Sequence, residues 1–359
     1  MRRFDREQFL APPLRMVAWE LTRGCNLSCV HCRALSGEGP YPGELTTEEC
    51  LRLLDDIASF SAPVVILTGG EPMLRPDVYE IAEYGTGKGL RMVLATNGTL
   101  LTEDKAKRLL AAGIQRISIS LDGADAESHD QFRGVTGSFE GGLRGIRYAK
   151  KVGLEFQINT TVTQHNLPQL PQILDLAVDL GAAAHHLFLL VPTGRGKEVQ
   201  DTAISPHDYE EVLHWFYDQR DHVSLHLKVT CAPHFYRVLR QRARQEGKTM
   251  TTEQYGLDAV TRGCMGGISF CFISSTGGVQ PCGYLELDCG NVRDGSLESI
   301  WAQCTFFKDL RDEDNYKGKC GYCEYRKVCG GCRARSFEMT GDYLAEEPYC
   351  IYEPKRRGC

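Results

Sequence analysis

Between residues 16 and 195 short apolar runs alternate with amphipathic segments, and that alternation leaves few folds open. Strands are expected at 16–22, 64–68, 91–96, 116–121, 155–162 and 185–191, with helical periodicity near 47–59, 77–88, 103–112, 139–152 and 167–180. Strands separated by helices make βα units, whose strands must run parallel because each crossover returns the chain to the same end of the sheet. Six such units are too few to close an eight-fold barrel. The expected class is α/β, a parallel sheet built from βα units, then a small cysteine-rich domain. The boundaries are 1–15 for an extension, 16–230 for the βα units and a bridge, and 231–359 for the cysteine-rich part.

The first strand runs into Cys25-Asn26-Leu27-Ser28-Cys29-Val30-His31-Cys32. Three thiolates at this spacing can hold a cubic iron–sulfur cluster and leave its fourth iron without a protein ligand. A structural zinc would need a fourth ligand, for which His31, inside the loop, is awkwardly placed. The open iron is where a small molecule can bind.

Other polar motifs also follow strands. Gly69-Gly70-Glu71-Pro72 leaves the second; its glycines let backbone approach a ligand. Asn97 closes the third, and Ser118 and Ser120 share one face of the fourth. Arg133 precedes a glycine, and Arg195 lies in a Gly-flanked basic loop after the sixth strand, suited to an anionic group. His185 and His186 begin that strand and read as structural, although one could face the cavity. The bridge holds a helix near 206–220, a half-buried strand at 224–230, and then Cys231-Ala232-Pro233-His234, whose Cys231 and His234 could be cluster or haem-iron ligands, although an isolated cysteine such as Cys231 is more often a core thiol. Arg237, Arg240, Arg242 and Arg244 are expected on the solvated face of a helix.

A formal net charge of −6 argues against nucleic acid as the main partner. The start carries no apolar signal region, and no run of apolar residues is long enough to span a membrane, so a soluble cytoplasmic protein is expected. In such a protein sixteen cysteines point to metal ligation more than to disulfides. The later set runs Cys264, Cys282, then Cys320-x2-Cys323-x5-Cys329-x2-Cys332, and Cys350.

Cys25, Cys29 and Cys32 after one strand, with Gly69-Gly70-Glu71-Pro72 after the next, resemble the radical S-adenosylmethionine (SAM) superfamily. The resemblance implies a partial (β/α)6 barrel with ligands at the C-terminal ends of its strands, a 4Fe–4S cluster whose open iron is chelated by SAM, and a deoxyadenosyl radical that takes a hydrogen atom from substrate. It assigns Gly69, Gly70, Glu71 and Pro72 to the amino group of SAM, and Asn97, Ser118 and Ser120 to its ribose or carboxylate. Arg133 would add a polar contact, and Arg195 would meet the carboxylate of SAM or of substrate. The later cysteines resemble the SPASM domain, although the final pair is spaced by two residues where that family has three. By position, Cys264, Cys271, Cys282 and Cys332 would hold one auxiliary 4Fe–4S cluster, with Cys289 and Cys231 as alternatives to Cys271. Cys320, Cys323, Cys329 and Cys350 would hold a second.

The segments 19–23, 31–34, 130–134 and 185–197 resemble the haem-biosynthesis branch, the haem synthases of the siroheme-dependent pathway. That likeness implies iron-coproporphyrin III as substrate, two of whose propionates lose CO2 and become vinyl groups, giving haem b. It also implies an electron donor such as a ferredoxin or flavodoxin. The propionates would need basic anchors, for which Arg23, Arg33, Arg133 and Arg195 are candidates. Another tetrapyrrole, as in the haem d1 pathway, or a peptide is the alternative substrate. The few residues before Cys25 leave little room for a leader-binding module.

Overall fold

The computed structural model describes residues 11–355. The expected extension lies outside the described residues as far as residue 10.

The six expected strands form: β1 (Met16–Thr22), β2 (Val64–Gly69), β3 (Arg91–Thr96), β4 (Arg116–Ser120), β5 (Glu155–Val162) and β6 (Ala184–Leu189). The half-buried run in the bridge becomes β7 (His226–Thr230), parallel to β6. Two further strands, β8 (Phe270–Ile273) and β9 (Val279–Gln280), extend the sheet at its other edge, β8 running parallel to β1. The order is β7-β6-β5-β4-β3-β2-β1-β8-β9. The division expected at residue 230/231 is therefore no break in the sheet, because residues 270–273 hydrogen-bond directly to the barrel's first strand.

Helices α1 (Thr47–Phe60), α2 (Val78–Gly87), α3 (Glu103–Ala111), α4 (Ala126–Arg133), α5 (Ser138–Val152) and α6 (Leu170–Leu180) connect the first six strands, and α7 (Pro206–Asp218) and α8 (Phe235–Gln245) flank β7. The first starts on a capping box, in which Thr46 receives the Glu49 N–H while the Glu49 carboxylate receives that of Thr46.

Alternation along the strands sorts the two faces of the sheet. Val17, Trp19, Leu67, Met92, Leu94, Ile117, Ile119, Ile158 and Leu187 are fully buried in one core with Leu54 and Ile57 of α1. Burying each such side chain contributes about 1.5–3 kcal/mol, so the register is strongly held on this face. The opposite face is partly open and polar, carrying Glu20, Thr68, Ser118, Ser120, Asn159, His186 and Lys228 at paired register positions. Among the described residues no helix is long and apolar enough to cross a membrane.

Candidate active site and cysteine groups

The three-cysteine loop is pinned from across the barrel. Its Ser28 and Val30 N–H groups donate to the carbonyls of Arg133 and Phe132 at the end of α4 (3.2 and 3.1 Å). Arg195 reaches it from beyond β6: its backbone N–H donates to the Cys32 carbonyl (3.0 Å), Nε to that of Cys29 (2.9 Å) and Nη1 to that of Ser36 (2.9 Å). Gly194 takes a left-handed φ of 54°, and a Cβ there would lie 2.4 Å from the Cys32 carbonyl oxygen, so the close approach requires glycine.

Each sulfur of the loop receives one donor: the Leu27 N–H at Cys25 (3.4 Å), Arg133 Nη1 at Cys29 (3.6 Å) and the Ser36 N–H at Cys32 (3.4 Å). Burial pushes the Cys25 thiol up to about 11, and a bound cation would favour its thiolate. Among the described residues, the one set of three or more potential ligand atoms within 4.8 Å of one another is His207, Asp208 and Glu211, on the outside of α7. Tetrahedral zinc would set its thiolates about 3.8 Å apart, from Zn–S bonds of about 2.3 Å. The three loop thiols do not all lie within 4.8 Å of one another, a wider set than a closed zinc site would make. His31 is taken up by stacking on Phe132 (centroids 4.2 Å apart) and stays neutral because it is buried.

The Gly-Gly-Glu-Pro stretch lies against the same loop, with the Gly70 and Glu71 N–H groups donating to the carbonyls of Thr22 and Gly24 (both 2.8 Å). A Cβ on Gly70 would sit 2.4 Å from the Gly24 oxygen. Glu71 departs from the expectation of a cofactor contact. Its carboxylate is fully buried and receives the Thr96 hydroxyl (2.8 Å) and the Asn97 and Met73 N–H groups (2.7 and 3.0 Å), so it braces the strand ends. Asn97 bonds Asn26 and Thr99, tying β3 to the cysteine loop. Ser118 and Ser120 do face the open side of the sheet, with Ile117 and Ile119 behind them.

Three of the four anchor arginines are committed elsewhere. Arg133 is buried, ion-paired with Asp122 and bonded to the Cys29 sulfur. Burial works against its charge, but Asp122 and Cys29 outweigh it and hold the guanidinium above its ordinary value. Arg195 is the loop clamp, and Arg23 donates twice to the Ala34 carbonyl. A residue that already satisfies loop carbonyls gains little by leaving them for a propionate. Arg33 alone reaches the open face, paired with Glu20 (2.6 Å) and over the Phe272 ring (4.5 Å).

Of the other groups on that face, His186 is the histidine that the sequence left free to face the cavity, while Gln157, Asn159 and Lys228 were not singled out. Gln157 Nε2 bonds Asn159 (2.9 Å) and His186 Nδ1 (3.0 Å), while Lys228 carries no ion pair among the described residues. Burial depresses the ammonium of Lys228, a condition that a bound carboxylate would relieve. Alternation in the run 224–230 was the available signal, since Lys228 occupies its polar phase. His185 faces the core, bonded to Thr160 (2.9 Å).

The C-terminal cysteines gather in two groups. Cys320, Cys323, Cys329 and Cys350 line one pocket with Arg237. The N–H groups of Glu347, Tyr325 and Gly331 reach Cys320, Cys323 and Cys329 at 3.4 Å, and that of Tyr352 reaches Cys350. Arg237 corrects the expectation of a solvated face: it is buried and paired with Glu210 (2.6 Å).

In the other group Cys264, Cys282 and Cys332 come within electrostatic reach of one another, and the fourth thiol there is Cys231. Cys231 has a left-handed φ of 59°, and its carbonyl accepts from Arg335 (3.2 Å). Cys271, expected in this group by position, is not part of it. It sits on β8 opposite Val17, wholly buried in the barrel core, because the strand's register turns it away. Tyr284 lies between the two sides of the site, within reach of Cys32 and Arg33 on one and of Cys231 and Cys282 on the other. Behind it, buried Arg335 pairs with Glu347 (3.0 Å), and Glu347 with His234 (2.7 Å). Burial alone would raise the Glu347 carboxyl, but His234 and Arg335 hold it down at about 2.

Residues 19–177 match the model of the radical SAM superfamily, and residues 264–333 that of an iron–sulfur cluster-binding domain, SPASM. An AdoMet-dependent heme synthase of Oleidesulfovibrio alaskensis is 56% identical over 97% of this chain and 89% of its own. The chain belongs to the radical SAM superfamily, in one family with these heme synthases. A second, from Methanosarcina barkeri, is 54% identical over 96% of this chain and 98% of its own. The crystal structure of Streptococcus suis SuiB bound to S-adenosylmethionine shares the radical SAM fold, with a TM-score of 0.74, 16% identity, and coverage of 96% of this chain and 78% of that one. As a radical SAM enzyme with a SPASM domain, the chain uses SAM and 4Fe–4S clusters, an auxiliary site included.

Proposed function

We propose that this radical SAM enzyme makes haem b by oxidative decarboxylation of two propionates of iron-coproporphyrin III. The observation that carries the reading is 54–56% identity to heme synthases over nearly the whole chain. The polar open face between the cysteine loop and the Cys231 group supports it. Cys25, Cys29 and Cys32 would hold the SAM cluster; Cys231, Cys264, Cys282 and Cys332 one auxiliary cluster; Cys320, Cys323, Cys329 and Cys350 the other. When loaded, these groups supply hydrogen-atom abstraction on one side of the cavity and one-electron acceptance on the other.

The chain's own residues hold and orient. Gly69 and Gly70 bring backbone against the loop where the methionine end of SAM would lie, and Ser118 and Ser120 offer hydroxyls to its ribose. Glu71, Asn97, Arg133 and Arg195 keep that cradle in place. Each arm that reacts loses a β-hydrogen, CO2 and an electron, and its negative charge with them. A cation paired to a reacting arm would be stranded as product forms, so Lys228 and Arg33 serve the two propionates that survive. A ferredoxin- or flavodoxin-type protein would deliver the reducing electron.

Anaerobic incubation with SAM, reductant and iron-coproporphyrin III, followed by pigment chromatography, tests the reading. A monovinyl intermediate and then haem b are expected. SAM cleavage without either pigment would overturn the substrate and leave another tetrapyrrole or a peptide.

A further inference from the structure

Two fully buried arginines, Arg333 and Arg335, open the helix Arg333–Thr340 and turn to different cysteine groups. Arg333 serves the Cys320 group. Its Nη2 donates to the Cys320 sulfur (3.4 Å), its Nη1 to the carbonyls of Ala345 (2.6 Å) and Tyr343 (3.3 Å), and its Nε to that of Gly331 (3.4 Å). The guanidinium also lies over the Tyr316 ring, 4.8 Å from its centroid. Gly331 makes room for this approach with a left-handed φ of 64°; a Cβ there would collide with Arg333 Nη2 and stand 3.1 Å from the Cys320 sulfur.

Arg335 lies beside the Cys231 group but donates to none of its sulfurs. Its Nη1 is spent on the Glu347 carboxylate (3.0 Å) and its Nη2 on the carbonyls of Leu189, Leu190 and Cys231 (3.3, 3.1 and 3.2 Å). A carboxylate therefore cancels its charge. Arg333 has only carbonyls and a sulfur for partners, and forms no ion pair among the described residues. A guanidinium buried without a carboxylate is costly unless another negative charge compensates it, and a thiolate at Cys320 supplies that charge.

Three amides strengthen the bias. The N–H groups of Glu347, Tyr325 and Gly331 donate to the sulfurs of Cys320, Cys323 and Cys329, each at 3.4 Å. Hydrogen bonds and positive charge at the sulfurs favour the more negative, reduced state of an iron–sulfur cluster and so raise its potential. The two groups are also tied together. The Cys264 N–H donates to the Cys329 carbonyl (3.1 Å), and Cys332 of one group is followed directly by Arg333, which serves the other.

On the two auxiliary ligand sets given under the proposed function, we propose that Arg333 sets the potential of the Cys320 group's 4Fe–4S cluster above that of the Cys231 group's. An electron that reaches the pair then comes to rest on the Cys320 side. The Cys231 side is oxidised by one electron and the Cys320 side reduced by one, and no bond or proton changes hands. Arg333 is a positioning residue: it touches no substrate and acts through the Cys320 sulfur.

The test is an anaerobic redox titration of the iron-loaded full chain, without substrate, followed by electron paramagnetic resonance. Of the two auxiliary signals, the one that appears at higher potential should be missing from Cys350→Ala. Arg333→Leu should shift the reduced-to-oxidised ratio of that centre about ten-fold, the lower end for one charge-assisted hydrogen bond, or about 59 mV downward for a one-electron couple. The other auxiliary potential should not move, and Arg333→Lys, which keeps the charge, should recover most of the shift. An unmoved potential in an Arg333→Leu variant that keeps its iron would overturn the proposal, as would loss of the lower-potential signal in Cys350→Ala. Loss of about four irons from both Arg333 variants would also overturn it, making Arg333 a structural residue. A Cys350→Ala protein that keeps all its iron would instead strike the ligand set on which the proposal stands.

Discussion

The cysteine loop of the barrel and the Cys231 group gather their thiols by opposite constructions. The loop takes all three thiols from eight consecutive residues and borrows distant side chains, Arg133 and Arg195, only to hold its backbone and one sulfur. The Cys231 group takes its four thiols from four separate segments, brought together by the fold. A local set leaves one side of its cluster open, because a short loop cannot surround it. A dispersed set can close around its cluster, at the cost of depending on everything between residues 231 and 332. Open coordination suits a site that binds SAM, and closed coordination one that only passes an electron.

The sharpest way to break this contrast is to remove the local set. Replacing Cys25, Cys29 and Cys32 by Ala should abolish SAM cleavage while about eight of about twelve irons remain, counting four per 4Fe–4S cluster. Iron and sulfide analysis beside a 5′-deoxyadenosine assay decides it; loss of all iron would show that the two constructions are not independent.

Single changes in the dispersed set come next. Cys231→Ala should cost about four irons, whereas Cys271→Ala should cost none, by the same ligand counting. Iron loss in the second variant alone would return Cys271 to the ligand set.

Glu347→Gln probes what holds the dispersed group together. It leaves the buried Arg335 charge without its partner, and breaking such a pair typically costs about 3–5 kcal/mol. Denaturant unfolding of the metal-free protein should show that loss. A change under about 1 kcal/mol would mean that the carbonyls of Leu189, Leu190 and Cys231 suffice for Arg335.

Arg195→Ala strips two charge-assisted bonds from the loop, each contributing about 1.5–3 kcal/mol. Loss of the equivalent of one of them should let iron of the SAM site pass to a chelator about ten- to a hundred-fold faster, with the auxiliary irons unaffected. Weakened porphyrin binding with a stable loop would instead make Arg195 an anchor.

The smallest effect is expected at Lys228. Lys228→Ala removes one cation from the open face and should weaken iron-coproporphyrin III binding about ten-fold, the lower end for one charge-assisted bond. Unchanged affinity would remove Lys228 from the site and leave Arg33 as the cation there.

Local periodicity and contiguous motifs were enough to determine the βα order, six parallel strands, the loop Cys25–Cys32 and the Gly-Gly-Glu-Pro turn beside it. Those features depend on side-chain spacing along one element, and a strand or short loop has few ways to satisfy it. What only the tertiary structure decided is where long-range partners lie. Arg195 looks like an anion anchor in its own loop, yet it clamps backbone more than 150 residues away. Cys271 sits at a plausible spacing, but the register of β8 against β1 buries it in the core, while a left-handed turn at Cys231 brings that thiol to the group instead. Spacing along the chain measures contour length, and beyond one secondary-structure element contour length ceases to fix distance in space. Sheet register and crossover geometry fix it, and they are properties of the assembled fold.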